Sequence, residues 1–345
     1  MRHIQRRNRI MTRFCHRLAA VMICVVTLGA TGSALTIKLA SLAPNGSPWD
    51  KGLRAIAARW SEVSDGKVTL KIYPGGIAGG EQDMIRKMRI GQLGAAGLTG
   101  VGLSRIYPGV LALHLPLTVR TDEELTYVLE KAKPTFEAEL EKKGFKVLIW
   151  TKVGWAHFFA REPVIEPGDL KKQKLFIYEG DPDGEQAWKD AGFHVVPLSP
   201  TDLSSGIQTG MVDAFTTTPL SAASYQWFKL VDHMCGMKWA PLIGAIVIST
   251  RTWNRIPEDL RPRLERECRK IGTALQDDID EADRQAVEEM KKSGLEVNPV
   301  TEEDVAQWRA EVEEGFQKVV GKSFDRSSYE LVRKHLESFR NADGE

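Results

Sequence analysis

The sequence predicts an α/β protein built as two lobes, and three observations support this. Residues 169 to 219 alternate strand-like and helix-like segments, which is typical of a parallel sheet. About 310 residues remain after an N-terminal export segment, whereas single hydrophobic cores stop growing near ~250–300 residues. An apolar stripe from about Leu260 to Met290 predicts a helix long enough to brace both lobes.

The stretch from 169 to 219 predicts a strand–helix–strand–helix–strand unit. Its strands are expected at 174–177, 193–197 and 211–215, and its helices at 183–191 and 199–210. Ser199 is a candidate N-cap, with Pro200 at the first helical position. Because parallel sheets bind ligands beyond the carboxyl ends of their strands, the loop 216–219 is expected at a binding edge.

Residues 1–34 have the form of a cleavable signal peptide. Six arginines precede an apolar core at 18–29, and Gly32-Ser33-Ala34 offers small residues for cleavage near Ala34. The apolar run is shorter than the ~20 residues that span a bilayer. An uncleaved anchor is the alternative, and Arg6-Arg7 leaves a twin-arginine export route open. The expected location is the periplasm.

Charge argues against a nucleic-acid partner. The whole chain has 47 basic and 46 acidic residues, and the signal segment holds six arginines and no acid. The remaining chain therefore carries 41 basic and 46 acidic residues, a net charge of −5. Phosphate backbones need clustered Lys and Arg instead.

Two cysteines remain after the signal segment, Cys235 and Cys268. An exported compartment permits a disulfide between them. Two buried free thiols are the equal alternative, since the distance between the two residues cannot be read from the sequence.

In the predicted bracing helix, apolar residues recur every three or four positions. A helix of ~30 residues would be ~45 Å long, which exceeds one lobe. Pro262 interrupts the pattern near its start, because an interior proline kinks or breaks a helix. The continuous helix is therefore expected to begin near Pro262, and two separate helices are the alternative.

Signals of catalysis are weak. The sequence has no G-x-S-x-G elbow and no H-E-x-x-H pair, and its five histidines after the signal segment are scattered. The glycines at 75–76 and 79–80 do not follow the dinucleotide pattern and indicate a tight turn. We therefore expect no enzyme activity, no metal and no cofactor.

Several ordered motifs resemble the solute-binding proteins of TRAP (tripartite ATP-independent periplasmic) transporters, the DctP-like family. The pattern DLKGxKxR, a helix, a G-x-x-x-x-P strand and a helix ending in Q-x-G-x-x-D is matched at Asp169, Leu170, Lys171, Lys174, Gly192, Pro197, Gln208, Gly210 and Asp213. SPWDKG at 47–52, YPGGIAGGEQDM from Tyr73 and STRTW at 249–253 also match. The similarity extends from about Thr36 to about Val320.

The resemblance implies a two-lobed periplasmic-binding-protein (Venus-flytrap) fold with discontinuous domains and a long bridging helix. Lobe I is expected at 35–155 plus about 243–285, and lobe II at 156–242 plus about 286–340. Such proteins close around one small organic ligand in the cleft between the lobes and deliver it to TRAP membrane permease subunits.

The chain departs from the family where the family holds its ligand. The usual anchor is an Arg at the end of the DLKGxKxR strand, which grips a carboxylate in two parallel hydrogen bonds. Phe176 stands there, and a register error of two still gives no Arg at Tyr178. The second family Arg falls at Ala156. Other cleft positions of the family fall at Leu42, Thr99, and Thr217 or Thr218.

The resemblance thus predicts a cleft that is apolar where an acid is usually held. Trp155, Phe176, Tyr178 and Trp239 lie near cleft-forming segments and suit an apolar or weakly polar ligand. The alternative is that these aromatic residues belong to the core. A subgroup of the family lacks the Arg pattern in a similar way; it works with a lipoprotein of helical repeats, and apolar ligands have been proposed for it.

The leading interpretation is a periplasmic solute-binding subunit of a TRAP-type importer. One alternative is an exported partner-binding or signalling subunit with a vestigial cleft. Another is a conventional carboxylate binder whose cation has moved to Arg161 or Lys152.

Overall fold

A computed structural model describes residues 34–179 and 181–342. The predicted signal peptide lies outside these residues except for Ala34, so its cleavage stays a prediction.

The first lobe alternates strands and helices from its first residue. Its elements are β1 (Leu35–Ser41), α1 (Pro48–Val63), β2 (Val68–Tyr73), α2 (Glu81–Arg89), β3 (Ala95–Thr99), α3 (Gly100–Ser104), a 3₁₀ helix (Pro108–His114) and α4 (Asp122–Lys142). Ser47 caps α1, since its hydroxyl accepts a hydrogen bond from the Asp50 amide at 3.3 Å. Leu53, Ile56 and Trp60 of α1, spaced three and four residues apart, are buried.

The second lobe contains the strand–helix–strand unit read from the sequence. Its elements are β4 (Phe145–Ala160), α5 (Pro167–Lys171), β5 (Lys174–Tyr178), α6 (Pro182–Asp190), β6 (His194–Leu198), a 3₁₀ turn (Pro200–Asp202), α7 (Leu203–Gln208), β7 (Ala214–Thr217), α8 (Pro219–Ser224), a 3₁₀ turn (Trp227–Leu230), β8 (His233–Cys235) and β9 (Ala240–Ser249). Strand β5 pairs in parallel with β6 and β7, which confirms the predicted parallel unit.

The third strand of that unit begins later than predicted. Met211 is half exposed in the turn after α7, and β7 runs from Ala214 to Thr217. Thr216 and Thr217, expected in the loop, therefore belong to the strand, and Thr218 is the N-cap of α8. The prediction failed here because Met211 and Val212 are apolar but lie in the turn before the strand. The Val212 side chain is buried and that of Met211 is half exposed, and neither residue belongs to the sheet.

Two long strands connect the lobes. The strand order is β2-β1-β3-β9-β4-β7-β5-β6, so β9 and β4 are adjacent in the middle, and β8 also pairs with β4. The pairing of β4 with β9 is irregular between Lys152 and Gly154, where Gly154 has φ of 138°. The lobe boundaries expected near 155 and 243 fall inside these two strands.

A 32-residue helix, α10 (Arg261–Lys292), follows the short α9 (Thr250–Trp253) and braces the two lobes. At 1.5 Å per residue it is about 48 Å long. It packs on α1 and on α8, helices of different lobes, and on β4 between them. Pro262 lies in its first turn, where the missing amide hydrogen costs nothing, so the two-helix alternative is wrong.

The last helices divide between the lobes. Strand β10 (Glu296–Asn298) and α11 (Glu302–Val319) join the second lobe, with Trp308 buried in its core. By contrast α12 (Arg326–Ala342) packs on α4, and Arg340 Nε lies 2.7 Å from Glu124 Oε1. The second-lobe segment, expected to extend to about 340, therefore ends before α12. The contact between α12 and α4 joins distant parts of the chain, and no local sequence pattern indicates it.

Both remaining cysteines are free and buried in different core clusters. Burial raises the pKa of Cys235 to about 11 and that of Cys268 to about 12. The structure thus favours the free-thiol alternative. Over residues 34–179 and 181–342, no helix is long and apolar enough to cross a membrane.

Candidate functional site

A cavity of about 390 Å³ lies between the lobes. The first lobe lines it from the ends of β1 and β3 and from the N-terminus of α2. The second lobe lines it from the ends of β5 and β7, with Trp227 and Trp239. The carboxyl ends of parallel strands therefore meet at this cleft, as the fold predicts.

Most residues predicted from the sequence line this cavity. They are Leu42, Thr99, Ala156, Phe176, Tyr178, Thr217 and Trp239. Phe176 is both a lining residue and part of a buried cluster with Leu203, Ile207 and Phe215. The Phe176 ring therefore belongs to the core of the second lobe and also contributes to the wall of the cleft.

Trp155 and Thr218 lie outside that lining. Successive residues of a strand point to opposite faces, so Trp155 turns away when Ala156 faces the cleft. Its indole N–H donates to Asp122 Oδ1 at 3.0 Å, and the Lys238 ammonium lies 5.0 Å from its ring centroid. The Thr218 hydroxyl accepts from the Ser221 amide at 3.2 Å, as the N-cap of α8.

Neither cation weighed as a relocated anchor reaches the cavity lining. Lys152 Nζ is held between Asp122 at 2.7 Å and Asp280 at 2.8 Å, so it ties β4 to α4 and α10. Arg161 donates to the Ile207 carbonyl and lies 3.8 Å from Asp213. Both cations are used inside the fold.

A buried carboxyl group, Glu81, lines the first-lobe side. Its Oε1 accepts from the Thr99 amide at 2.5 Å and its Oε2 from the Thr99 hydroxyl at 2.9 Å. Burial raises the pKa of Glu81, and the two Thr99 hydrogen bonds and the charge of Arg105 oppose that rise. The Thr99 hydroxyl also caps α3 by accepting from the Gly102 amide.

Two tyrosines and one arginine complete the polar part of the lining. Burial, with the nearby charge of Glu81, raises the pKa of Tyr178 and of Tyr225. The Tyr225 hydroxyl donates to the Leu42 carbonyl and so links the lobes. Arg105 donates to the Glu179 carbonyl, a second link across the cleft.

Three buried polar atoms of this lining lack a hydrogen-bond partner within the described chain: Ser41 Oγ, Trp49 Nε1 and His114 Nε2. Ser41 is 3% exposed, at the end of β1. Because unsatisfied buried polar atoms are costly, these three groups are available to polar atoms of a ligand.

The charge balance of the lining is acidic. Glu81, Asp181 and Glu185 line it, whereas Arg105 is the one Lys or Arg of the described residues that does so. His114 also lines it, but burial lowers the pKa of His114 to about 4, so the imidazole is neutral at pH 7. The described residues show no group of three or more His, Cys, Asp or Glu placed to hold a metal ion.

The sequence analysis missed Glu81, Arg105, Tyr225, Ser41 and Trp49. The motif YPGGIAGGEQDM contains Glu81 and SPWDKG contains Trp49, so a signal was present, but both motifs served only to support the family resemblance. Arg105 and Tyr225 lie in segments without a periodic or motif signal.

Comparison with known proteins agrees with this geometry. The family described as bacterial extracellular solute-binding protein, family 7 (DctP) matches residues 39–323. The chain belongs to this family. Its members are solute-binding transport proteins, and the resemblance read from the sequence is confirmed.

Two relatives match most of the chain at low identity. A solute-binding protein of Chromohalobacter salexigens is 21% identical over 311 residues, covering 88% of this chain and 91% of that protein. The C4-dicarboxylate-binding periplasmic protein DctP of Rhodobacter capsulatus is 22% identical over 297 residues, covering 84% and 88%. A crystal structure of a TRAP periplasmic solute-binding protein from Sulfurospirillum deleyianum with bound succinate has a TM-score of 0.80 at 20% identity, covering 87% and 98%. The two-lobed fold is thereby confirmed.

Proposed function

We propose that the protein is the periplasmic solute-binding subunit of a TRAP-type importer whose cleft takes an apolar or weakly polar organic ligand. The Phe176 ring carries this proposal, because it lines the cleft from the middle of β5, where the family resemblance places an anchoring Arg. Ala156 occupies the second anchor position and offers no charge.

The electrostatics of the lining support the same ligand class. A dicarboxylate would enter a cavity lined by three carboxyl groups and one guanidinium that is already bonded to Glu179. Burying a carboxylate without a paired cation is costly. An apolar ligand has no charge to desolvate in this cavity, and Ser41 and Trp49 can bind one small polar group of it.

Calorimetry against a panel of small acids and of uncharged apolar compounds at pH 7 tests the proposal. We expect succinate to release no measurable binding heat, and members of the apolar set to bind. Tight binding of succinate would overturn the proposal.

A second candidate is a conventional carboxylate binder, because Arg105 lines the cleft. Arg105→Met decides between the two. A carboxylate ligand would lose most of its affinity in that variant, since its one lining guanidinium is gone. An apolar ligand would keep its affinity within a few-fold, because it makes no ion pair with the guanidinium that the variant removes.

The partners and the location belong to the same proposal. Permease subunits of the TRAP type would receive the ligand, and N-terminal sequencing of the exported protein tests cleavage near Ala34. A helical-repeat lipoprotein stays a prediction, which co-purification with a gene product encoded beside this one would test.

A further inference from the structure

A second cavity, of about 210 Å³, lies under α11 next to the cleft. We call it the annex. Both cavities share six lining residues, so the annex continues the cleft. They are Leu111, His114, Asp181, Gly184, Trp188 and Trp239.

Aromatic rings dominate the wall of the annex. The Trp188 ring centroid lies 4.8 Å from that of Phe193 and 5.9 Å from that of Trp239. The Trp239 and Trp308 centroids lie 5.3 Å apart. These four rings all line the annex and present apolar faces or edges.

The charged groups of the annex wall are engaged elsewhere. Glu311 Oε1 lies 2.9 Å from Lys171 Nζ, and Asp181 Oδ1 accepts from the Ser323 hydroxyl and the Gly184 amide, both at 3.0 Å. His114, at the junction with the cleft, is uncharged at pH 7 because burial lowers its pKa to about 4. Among the residues that the structure describes, the walls shared by cleft and annex therefore carry no cation, and their one carboxyl group, Asp181, is hydrogen bonded within the fold.

Space in the annex is kept open at Gly315. This glycine lies inside α11, lines the annex, and a β carbon built on it meets no atom within 4 Å. Glycine inside a helix costs about 0.5–1 kcal/mol relative to alanine. The backbone of Gly315 has no positive φ that would require glycine, and the missing side chain leaves this part of the annex wall open.

We propose that cleft and annex form one elongated site for an amphipathic ligand, with its polar end beside Ser41 and Trp49 and its alkyl or aryl tail in the annex. The occupant of the annex is thus the tail of the cleft's own ligand, as the shared walls indicate. This inference rests on the proposed function and adds the shape of its ligand.

A homologous series of 1-alkanols, from butanol to decanol, tests it by calorimetry on the exhaustively dialysed protein. We expect about fourfold tighter binding per added methylene, the factor for burying one CH₂, until the annex is filled. Gly315→Leu fills the annex from its wall. It should weaken decanol binding more than tenfold and change butanol binding less than twofold.

Two variants control the measurement. Glu313→Leu places the same side chain on the exposed face of α11 and should keep the wild-type dependence on chain length. Gly315→Ala blocks less space and should bring the plateau about one methylene earlier, which keeps the test usable if Gly315→Leu lowers the melting temperature.

Alcohols that bind without dependence on chain length would refute the annex and leave the apolar cleft standing. If alcohol affinity depends on chain length in Gly315→Leu as it does in the wild type, the annex as a tail site is also refuted. Binding of succinate with no binding of any alcohol would refute the proposed function and this inference together.

Discussion

Replacing Phe176 by arginine introduces the residue that the family resemblance places at this position of the proposed apolar cleft. Phe176 is 3% exposed, packs on Leu203, Ile207 and Phe215, and its ring centroid lies 5.3 Å from that of Tyr178. The same ring lines the cleft. The change should therefore affect both folding and binding.

The cost in stability follows from the packing. Removing a buried phenylalanine ring typically costs about 3–5 kcal/mol, and the arginine stem recovers part of the contact only if its head reaches water. For a chain of this size, about 2 °C of melting temperature per kcal/mol gives a fall of roughly 6–10 °C. Phe176→Leu keeps the apolar volume and should cost less than about 1.5 kcal/mol.

Thermal melting and ligand titration on wild type, Phe176→Leu and Phe176→Arg measure both effects. In molecules that fold, Phe176→Arg should weaken an apolar ligand at least tenfold, because it places a charge against that ligand. Succinate should stay a weak ligand, since Ala156 still lacks the second anchor. Tight succinate binding with a melting temperature near that of Phe176→Leu would refute the reasoning.

Three further predictions concern the frame of the site. A β carbon at Gly272 of α10 would lie 1.6 Å from Ile149 Cδ1 on β4, so Gly272→Ala should destabilise the protein by about 1–3 kcal/mol. Because Ile149→Val removes that atom, urea unfolding of the double variant should show a smaller loss of stability than the sum of the two single variants. Additive losses would contradict close packing of the brace on β4. Burial raises the pKa of Asp283 to about 6, so the contribution of this carboxyl group to the free energy of unfolding is full below about pH 4 and is lost as pH rises through 6. Asp283→Asn should then stabilise the protein at pH 7, by about 3 kcal/mol at most, and not at pH 3.5. An equal effect at both pH values would argue against this reasoning. Cys235 and Cys268, with raised pKa values, should resist a thiol reagent until the protein unfolds, and rapid labelling of the native protein would contradict their burial.

Local pattern was enough for the elements and the brace. The periodic apolar residues of α10 fix a structure within one segment, so its prediction needed no distant contact. Family resemblance added the cleft positions, most of which, Phe176 and Tyr178 among them, line the cavity.

What the sequence did not reveal depends on contacts between distant segments. Trp155 is one residue from Ala156, and only the register of β4 with β9 decides which of the two faces the cleft. Glu81 becomes a lining carboxyl group because the end of β3 brings Thr99 to it, 18 residues later. The packing of α12 on the first lobe, through Arg340, is likewise invisible in its own amphipathic pattern.

Mass spectrometry of small molecules released by denaturation from the purified protein tests the central claim most directly. The geometry of cleft and annex predicts an amphipathic compound with one small polar group and an apolar tail, bound in a stoichiometric amount. A small dicarboxylate or a sugar acid in that amount would contradict it, because such a ligand needs the cation that Phe176 and Ala156 do not supply.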